Sequence, residues 1–140
     1  MTIKNLDHIN IVTLDMPATL HFYCSVLGLV NKPKADRPHN AYLCADDNSR
    51  PVVHVMDATF APKTAAFKRL AVPSPVPNTQ FRTGPIDHVA FIMNGSSYED
   101  MVKRMKQNTI DFQCYEHKDT GVKQIWALDP NGIRVELNFN

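Results

Sequence analysis

Two short stretches of the chain nearly repeat each other: LDHINI at residues 6–11 and IDHVAF at residues 86–91. Each sets an Asp-His pair in an apolar run of strand character, so His8 and His88 recur at the same point of two similar segments. In a chain of 140 residues a repeat at that spacing restricts the fold severely, because each copy must be a supersecondary unit built on one plan. The periodicity along each half agrees. The first half predicts a strand at about residues 5–13, then a helix from roughly Met16 to Leu27 with Asp15 as N-cap and Gly28 as the stop. Strands are expected next around residues 29–32, 40–44 and 51–56, with DDNSR at 46–50 as a turn. The second half predicts a strand over 86–93, and Gly95-Ser96-Ser97 opening a helix from about Tyr98 to Gln107. Strands near 111–115, 122–128 and 133–139 follow, with DPNG at 129–132 as a turn. Each half is thus β-α-β-β-β, an α+β pattern.

The connection, residues 57–85, carries Pro62, Pro73, Pro75 and Pro77, which favour an extended PSPVP stretch after a short helix expected over 62–70. It is long for a link inside a compact domain, so it either covers a site or a neighbouring subunit or is a solvated linker. Phe60, Phe67 and Phe81 are candidates to wall an apolar pocket or to pin this segment down, and Lys68, Arg69 and Arg82 are isolated bases. The expected organisation is one domain over residues 1–140: module 1 at about 1–57, a linker at about 58–84 and module 2 at about 85–140.

Composition removes several function classes. A net charge of +1 with acids and bases interspersed gives no footprint for nucleic acid or an anionic membrane surface. No apolar run approaches the length that spans a bilayer, and the N-terminal residues lack a secretory core. The cysteines Cys24, Cys44 and Cys114 are odd in number and unpatterned, which argues against a disulfide framework and for a reducing, cytoplasmic setting.

The closing strands extend the repeat. RPVVHVM ends the first half and GIRVELN the second, placing His54 at the counterpart position of Glu136. Period-two alternation sorts the faces: Val135, Leu137 and Phe139 oppose Arg134, Glu136 and Asn138, and Ile9 and Ile11 oppose His8 and Asn10. The apolar faces should pack on the helices, whose core stripes read as Leu20, Tyr23 and Leu27, and as Met101, Val102 and Met105. The polar faces are left to line a cleft. A strand histidine taken singly is usually a surface or hydrogen-bonded residue. Three imidazoles and a carboxylate at matched positions are instead a donor set for a first-row divalent metal.

LDHINI and DHVAF, paired with DPNGIRVEL, make the chain resemble the vicinal oxygen chelate superfamily, which includes glyoxalase I, extradiol dioxygenases, methylmalonyl-CoA epimerase, fosfomycin-resistance proteins and bleomycin-binding proteins. The resemblance covers essentially the whole chain, with the long linker as the main departure. It implies two βαβββ modules forming a curved, incomplete mixed β-barrel with helices on the outer face. It also implies a divalent metal held, by position, by His8, His54, His88 and Glu136, a small-molecule substrate chelated through two oxygens, and a homodimer.

Among the reactions that the resemblance implies, ring cleavage of the extradiol-dioxygenase kind at Fe(II) comes first. Its local pattern is a histidine seven residues before an apolar-aromatic pair, here His117 before Ile125-Trp126, followed by Asp129-Pro130, Gly132 and Glu136. His54, His117 and Trp126 are then the candidate catalytic residues. Trp126 departs from that pattern, which has tyrosine there, because an indole N–H donates a hydrogen bond but neither accepts nor transfers a proton. His54 fits either an acid/base role beside a three-residue metal triad or the place of a fourth ligand. A fourth ligand belongs to the alternative, a lyase or isomerase of the glyoxalase or epimerase type that works through a metal-bound enediolate, with Zn, Ni, Mn or Co. A further alternative is a non-enzymatic drug-binding protein, a class that generally lacks the metal residues.

Overall fold

Alternating apolar residues bounded by turn formers become short strands, and the computed structural model describes residues 6–57 and 88–140. The chain divides into two compact units at residues 62 and 63. Residues 58–87 lie outside the described residues. With them lie the short helix expected over 62–70, the PSPVP stretch, Phe60, Phe67, Phe81, Lys68, Arg69, Arg82 and the start of the strand expected at 86.

In the first unit, strand β1 (Ile9–Thr13) leads into helix α1 (Met16–Leu20), and β2 (Val30–Asn31), β3 (Asn40–Cys44) and β4 (Pro51–Asp57) complete a four-stranded sheet ordered β1-β4-β3-β2. Asp15 caps α1 as the sequence predicts, its carboxylate accepting from the Ala18 amide at 2.9 Å. The helix then continues as a π-helix over His21–Val26, with the Leu27 amide donating to the Phe22 carbonyl. Phe22, Tyr23, Val26 and Leu27 are buried, whereas Leu20, expected in the stripe, is only half-buried. Ile11, Leu43, Val53 and Val55 are buried in the same unit, so truncating one, such as Leu43→Ala, costs about 2–5 kcal/mol. Thr13 and Thr19 are buried polar residues joined through their hydroxyls at 2.9 Å.

The second unit repeats the plan. Strand β5 (Val89–Met93) precedes helix α2 (Tyr98–Gln107), and β6 (Phe112–Glu116), β7 (Lys123–Leu128) and β8 (Arg134–Phe139) follow, giving the order β5-β8-β7-β6. Met101 and Met105 of α2 are buried with Ile125, Val135, Leu137 and Phe139, while Val102 is half-buried. The DPNG turn closes through Asp129, whose carboxylate accepts from the Asn131 and Ile133 amides at 2.8 and 2.7 Å, with Gly132 at φ +81°. The fold is therefore α+β: two βαβββ modules, each with a mixed four-stranded sheet.

Pairing sets the site. In both sheets the first and last strands run parallel, with Asn10 opposite His54 and Ala90 opposite Glu136. His8 and His88 each stand one residue before the paired strand, two positions ahead of those partners. Alternation therefore puts His8 beside His54 and His88 beside Glu136 on one face of each sheet. Cys24, Cys44 and Cys114 are free thiols, and no described helix is long and apolar enough to cross a membrane.

Candidate metal centre

The first unit brings two imidazoles into contact. The rings of His8 and His54 stack with centroids 3.8 Å apart and planes 21° from parallel. Asp7 fixes the state of His8: its Oδ2 lies 2.6 Å from His8 Nδ1, and a carboxylate only accepts, so Nδ1 carries the hydrogen. With Nδ1–H held by a carboxylate, Nε2 is the atom of His8 able to ligate a metal, the arrangement of a carboxylate-oriented histidine ligand. The hydrogen bond from His8, and then the Arg50 guanidinium at 2.6 Å, hold the Asp7 carboxyl below its usual range. Burial lowers the pKa of His54 below the ordinary 6.5, and the neighbouring His8 and Lys34 push it the same way. His54 is therefore neutral near pH 7, the form that binds metals.

The second unit pairs an imidazole with a carboxylate. His88 Nε2 lies 2.9 Å from Glu136 Oε2, and Glu136 is only 7 % exposed. A carboxylate so deep is stable only when its oxygens are matched. Gln124 does this on the other side, its Nε2 donating to Glu136 Oε1 at 2.5 Å and to Asn138 Oδ1 at 2.8 Å. Trp126 Nε1 in turn donates to Gln124 Oε1 at 3.3 Å, and the indole packs edge-on against His88 with centroids 5.0 Å apart. The relay Trp126–Gln124–Glu136 turns one carboxylate oxygen toward His88. Trp126 and Gln124 also line a cleft of about 670 Å³, together with Gln113, Tyr115, Leu128 and Arg134.

His117 stands apart from this pair. It begins the β6–β7 connection, with its amide donating to Val122 and its carbonyl accepting from Gly121. Gln113, opposite Trp126 in the register, is four residues back along β6, which places His117 about 13 Å further along the strand. The exposed imidazole meets the Tyr115 ring instead, at 5.9 Å.

Sequence reasoning passed over three contributors. Asp7 was visible as half of the Asp-His pair, and Gln124 shares a face with Trp126 by alternation. Tyr42 is opposite His54 only through the β3–β4 register, which no local pattern reveals.

Among the described residues, no three His, Cys, Asp or Glu side chains form one metal-holding group; the donors come as two pairs, one in each unit. Their chemistry suits a divalent ion: imidazole nitrogens and a carboxylate, each backed by a hydrogen bond or ring contact. The 2.9 Å between His88 Nε2 and Glu136 Oε2 also fits. Two donors at right angles on one ion, with bonds of about 2.0–2.2 Å, lie about 3 Å apart.

Solved structures share this architecture. A glyoxalase/dioxygenase from Nostoc punctiforme is similar with a TM-score of 0.71 and 19 % identity, over 98 % of this chain and 91 % of its own. Lactoylglutathione lyase from Agrobacterium tumefaciens gives 0.66 at 17 % identity, over 99 % and 96 %. The fosfomycin resistance protein FosX from Mesorhizobium loti gives 0.64 at 12 %, over 99 % and 94 %. At such identities the likeness is one of fold. No curated protein matches the sequence. The family model of the Glyoxalase/Bleomycin resistance protein/Dioxygenase superfamily matches residues 5–137, and the chain belongs to that superfamily.

Proposed function

We propose that this chain is a divalent-metal enzyme acting on a small substrate with two neighbouring oxygens, by a non-oxidative lyase or isomerase reaction. His8, His54, His88 and Glu136 are its metal donors. One observation carries the reading: His54 occupies in the first sheet the register position that Glu136 occupies in the second, and each contacts the histidine two places ahead of its strand partner. Matched placement favours matched roles, which makes His54 a ligand. Four protein donors leave about two positions on a six-coordinate ion, enough for two substrate oxygens and too few for substrate plus dioxygen. The metal, when bound, supplies Lewis-acid polarisation of those oxygens. The chain's own groups prepare the site: Asp7 fixes the His8 tautomer, Gln124 orients Glu136, and the Trp126 indole shields the His88 ring on one side.

A second reading has its own support. Burial keeps His54 neutral, which equally suits a base beside a triad of His8, His88 and Glu136 at Fe(II), with ring-cleaving oxidation as the reaction. Against it, the Trp126 indole N–H is already engaged by Gln124, and His117 stands at a hairpin end. Assays with catechols and with 2-oxoaldehyde–thiol adducts, run in air and under nitrogen, separate the two. Turnover of an adduct that persists under nitrogen with no oxygen uptake is expected. Catechol turnover with stoichiometric oxygen consumption would overturn the non-oxidative reading. The homodimer stays part of this proposal, and light scattering of the purified protein tests it.

A further inference from the structure

Among the described residues, one buried side-chain nitrogen or oxygen has no hydrogen-bond partner: the hydroxyl of Tyr42, a residue only 3 % exposed. A hydroxyl held out of water and left unbonded is destabilising, so such a group in a strand interior points to a partner that arrives from outside the chain. Its surroundings name the kind of partner. Tyr42 lies directly opposite His54 in the β3–β4 register, with the two rings edge to face at 4.9 Å. The Lys34 ammonium sits 4.2 Å from the centre of the Tyr42 ring, which brings positive charge to the same spot. The backbone is fixed: the Tyr42 amide donates to Asn31 Oδ1 at 3.2 Å, and its carbonyl accepts from the Lys32 amide at 2.9 Å.

The duplication sharpens the point. In the second unit the residue opposite Glu136 is Trp126, so Tyr42 and Trp126 are counterparts. The polar atom of Trp126 is bound within the protein by Gln124. That of Tyr42 is not. The hydroxyl that the tryptophan position lacks is thus present at the equivalent place in the other module.

We propose that the Tyr42 hydroxyl donates a hydrogen bond to an anionic oxygen of the substrate bound beside His54, with Lys34 supplying the complementary charge. The proposal rests on the metal-enzyme reading above. Its test is Tyr42→Phe, which removes the hydroxyl and keeps the ring. Metal-free Y42F should melt at the wild-type temperature or above it; a fall of several degrees would show that the hydroxyl has a partner within the protein and overturn the proposal. Both proteins should bind Co(II) equally. Acetohydroxamate, an anionic ligand with two neighbouring oxygens, should then bind the Co(II)-loaded variant about tenfold more weakly, as loss of a hydrogen bond to a charged oxygen predicts. Equal acetohydroxamate affinity with intact Co(II) binding would overturn the role of Tyr42 alone. Failure of the wild type to bind Co(II) would overturn the metal reading and this proposal with it.

Discussion

The two units set their candidate donors on the same strands and the same register, yet fill those positions with different chemistry. In the first, two imidazoles stack at 3.8 Å, and the group that fixes His8 is its sequence neighbour, the exposed Asp7. In the second, an imidazole meets a nearly buried carboxylate at 2.9 Å, and the group that fixes Glu136 is Gln124, from the adjacent strand. The parallel pairing of first and last strands sets the geometry. The side chains set the chemistry: the first unit offers two imidazoles, the second an imidazole and a carboxylate. The second unit should dominate the energetics, because its carboxylate is nearly buried while Asp7 of the first is exposed.

The largest effect should follow from Glu136→Gln. The amide keeps the shape but loses the charge, and divalent-metal affinity measured by calorimetry should fall at least about 100-fold, or about 3 kcal/mol. His54→Ala in the first unit should come next, with a loss of about 10- to 100-fold. Unchanged metal affinity with abolished turnover would instead make His54 an acid/base and break the equivalence of the two units. Gln124→Leu should then weaken metal binding by about tenfold, as loss of an orienting partner does. It should also lower stability by about 1–3 kcal/mol in chemical denaturation, since it leaves Glu136 Oε1 unpaired in a nearly buried site. Asp7→Asn, its counterpart in the first unit, acts on an exposed group and should change metal affinity less than Gln124→Leu does.

The smallest effect concerns acid stability. Hydrogen bonds from Ser49 and the Asn48 amide hold the Asp46 carboxyl below its usual 3.8. A depressed folded-state value adds stability that is present above about pH 4 and disappears as the pH falls through the lowered value. Asp46→Ala should therefore melt slightly below wild type at pH 6 and level with it at the acid end. A constant gap across that range would contradict the assignment.

Much of this was legible in the chain. Alternation put His8, His54, His88 and Glu136 on polar faces, because successive side chains of a strand point to opposite sides and only one side packs on a helix. The Asp15 cap and the DPNG turn were equally readable, since both act through local hydrogen bonds. What local pattern does not encode is who stands across a ladder. Gln124 and Tyr42 gained their meaning only from the register that faces Gln124 with Asn138, beside Glu136, and Tyr42 with His54. The π-helical turn was hidden for a similar reason. It depends on a bond from the Leu27 amide to the Phe22 carbonyl, one residue further back than an α-helical bond reaches. His117 fits a spacing, yet spacing along a chain does not show that a hairpin carries it away from Glu136.

The proposed function has the two pairs serve one metal. Co(II) titration with elemental analysis, on wild type, His54→Ala and Glu136→Gln, tests it most directly. One ion bound per His54–Glu136 set in the wild type, with affinity reduced by either substitution alone, is the result this account predicts. Two independent ions, or a single ion whose affinity is untouched by one of the two substitutions, would contradict it.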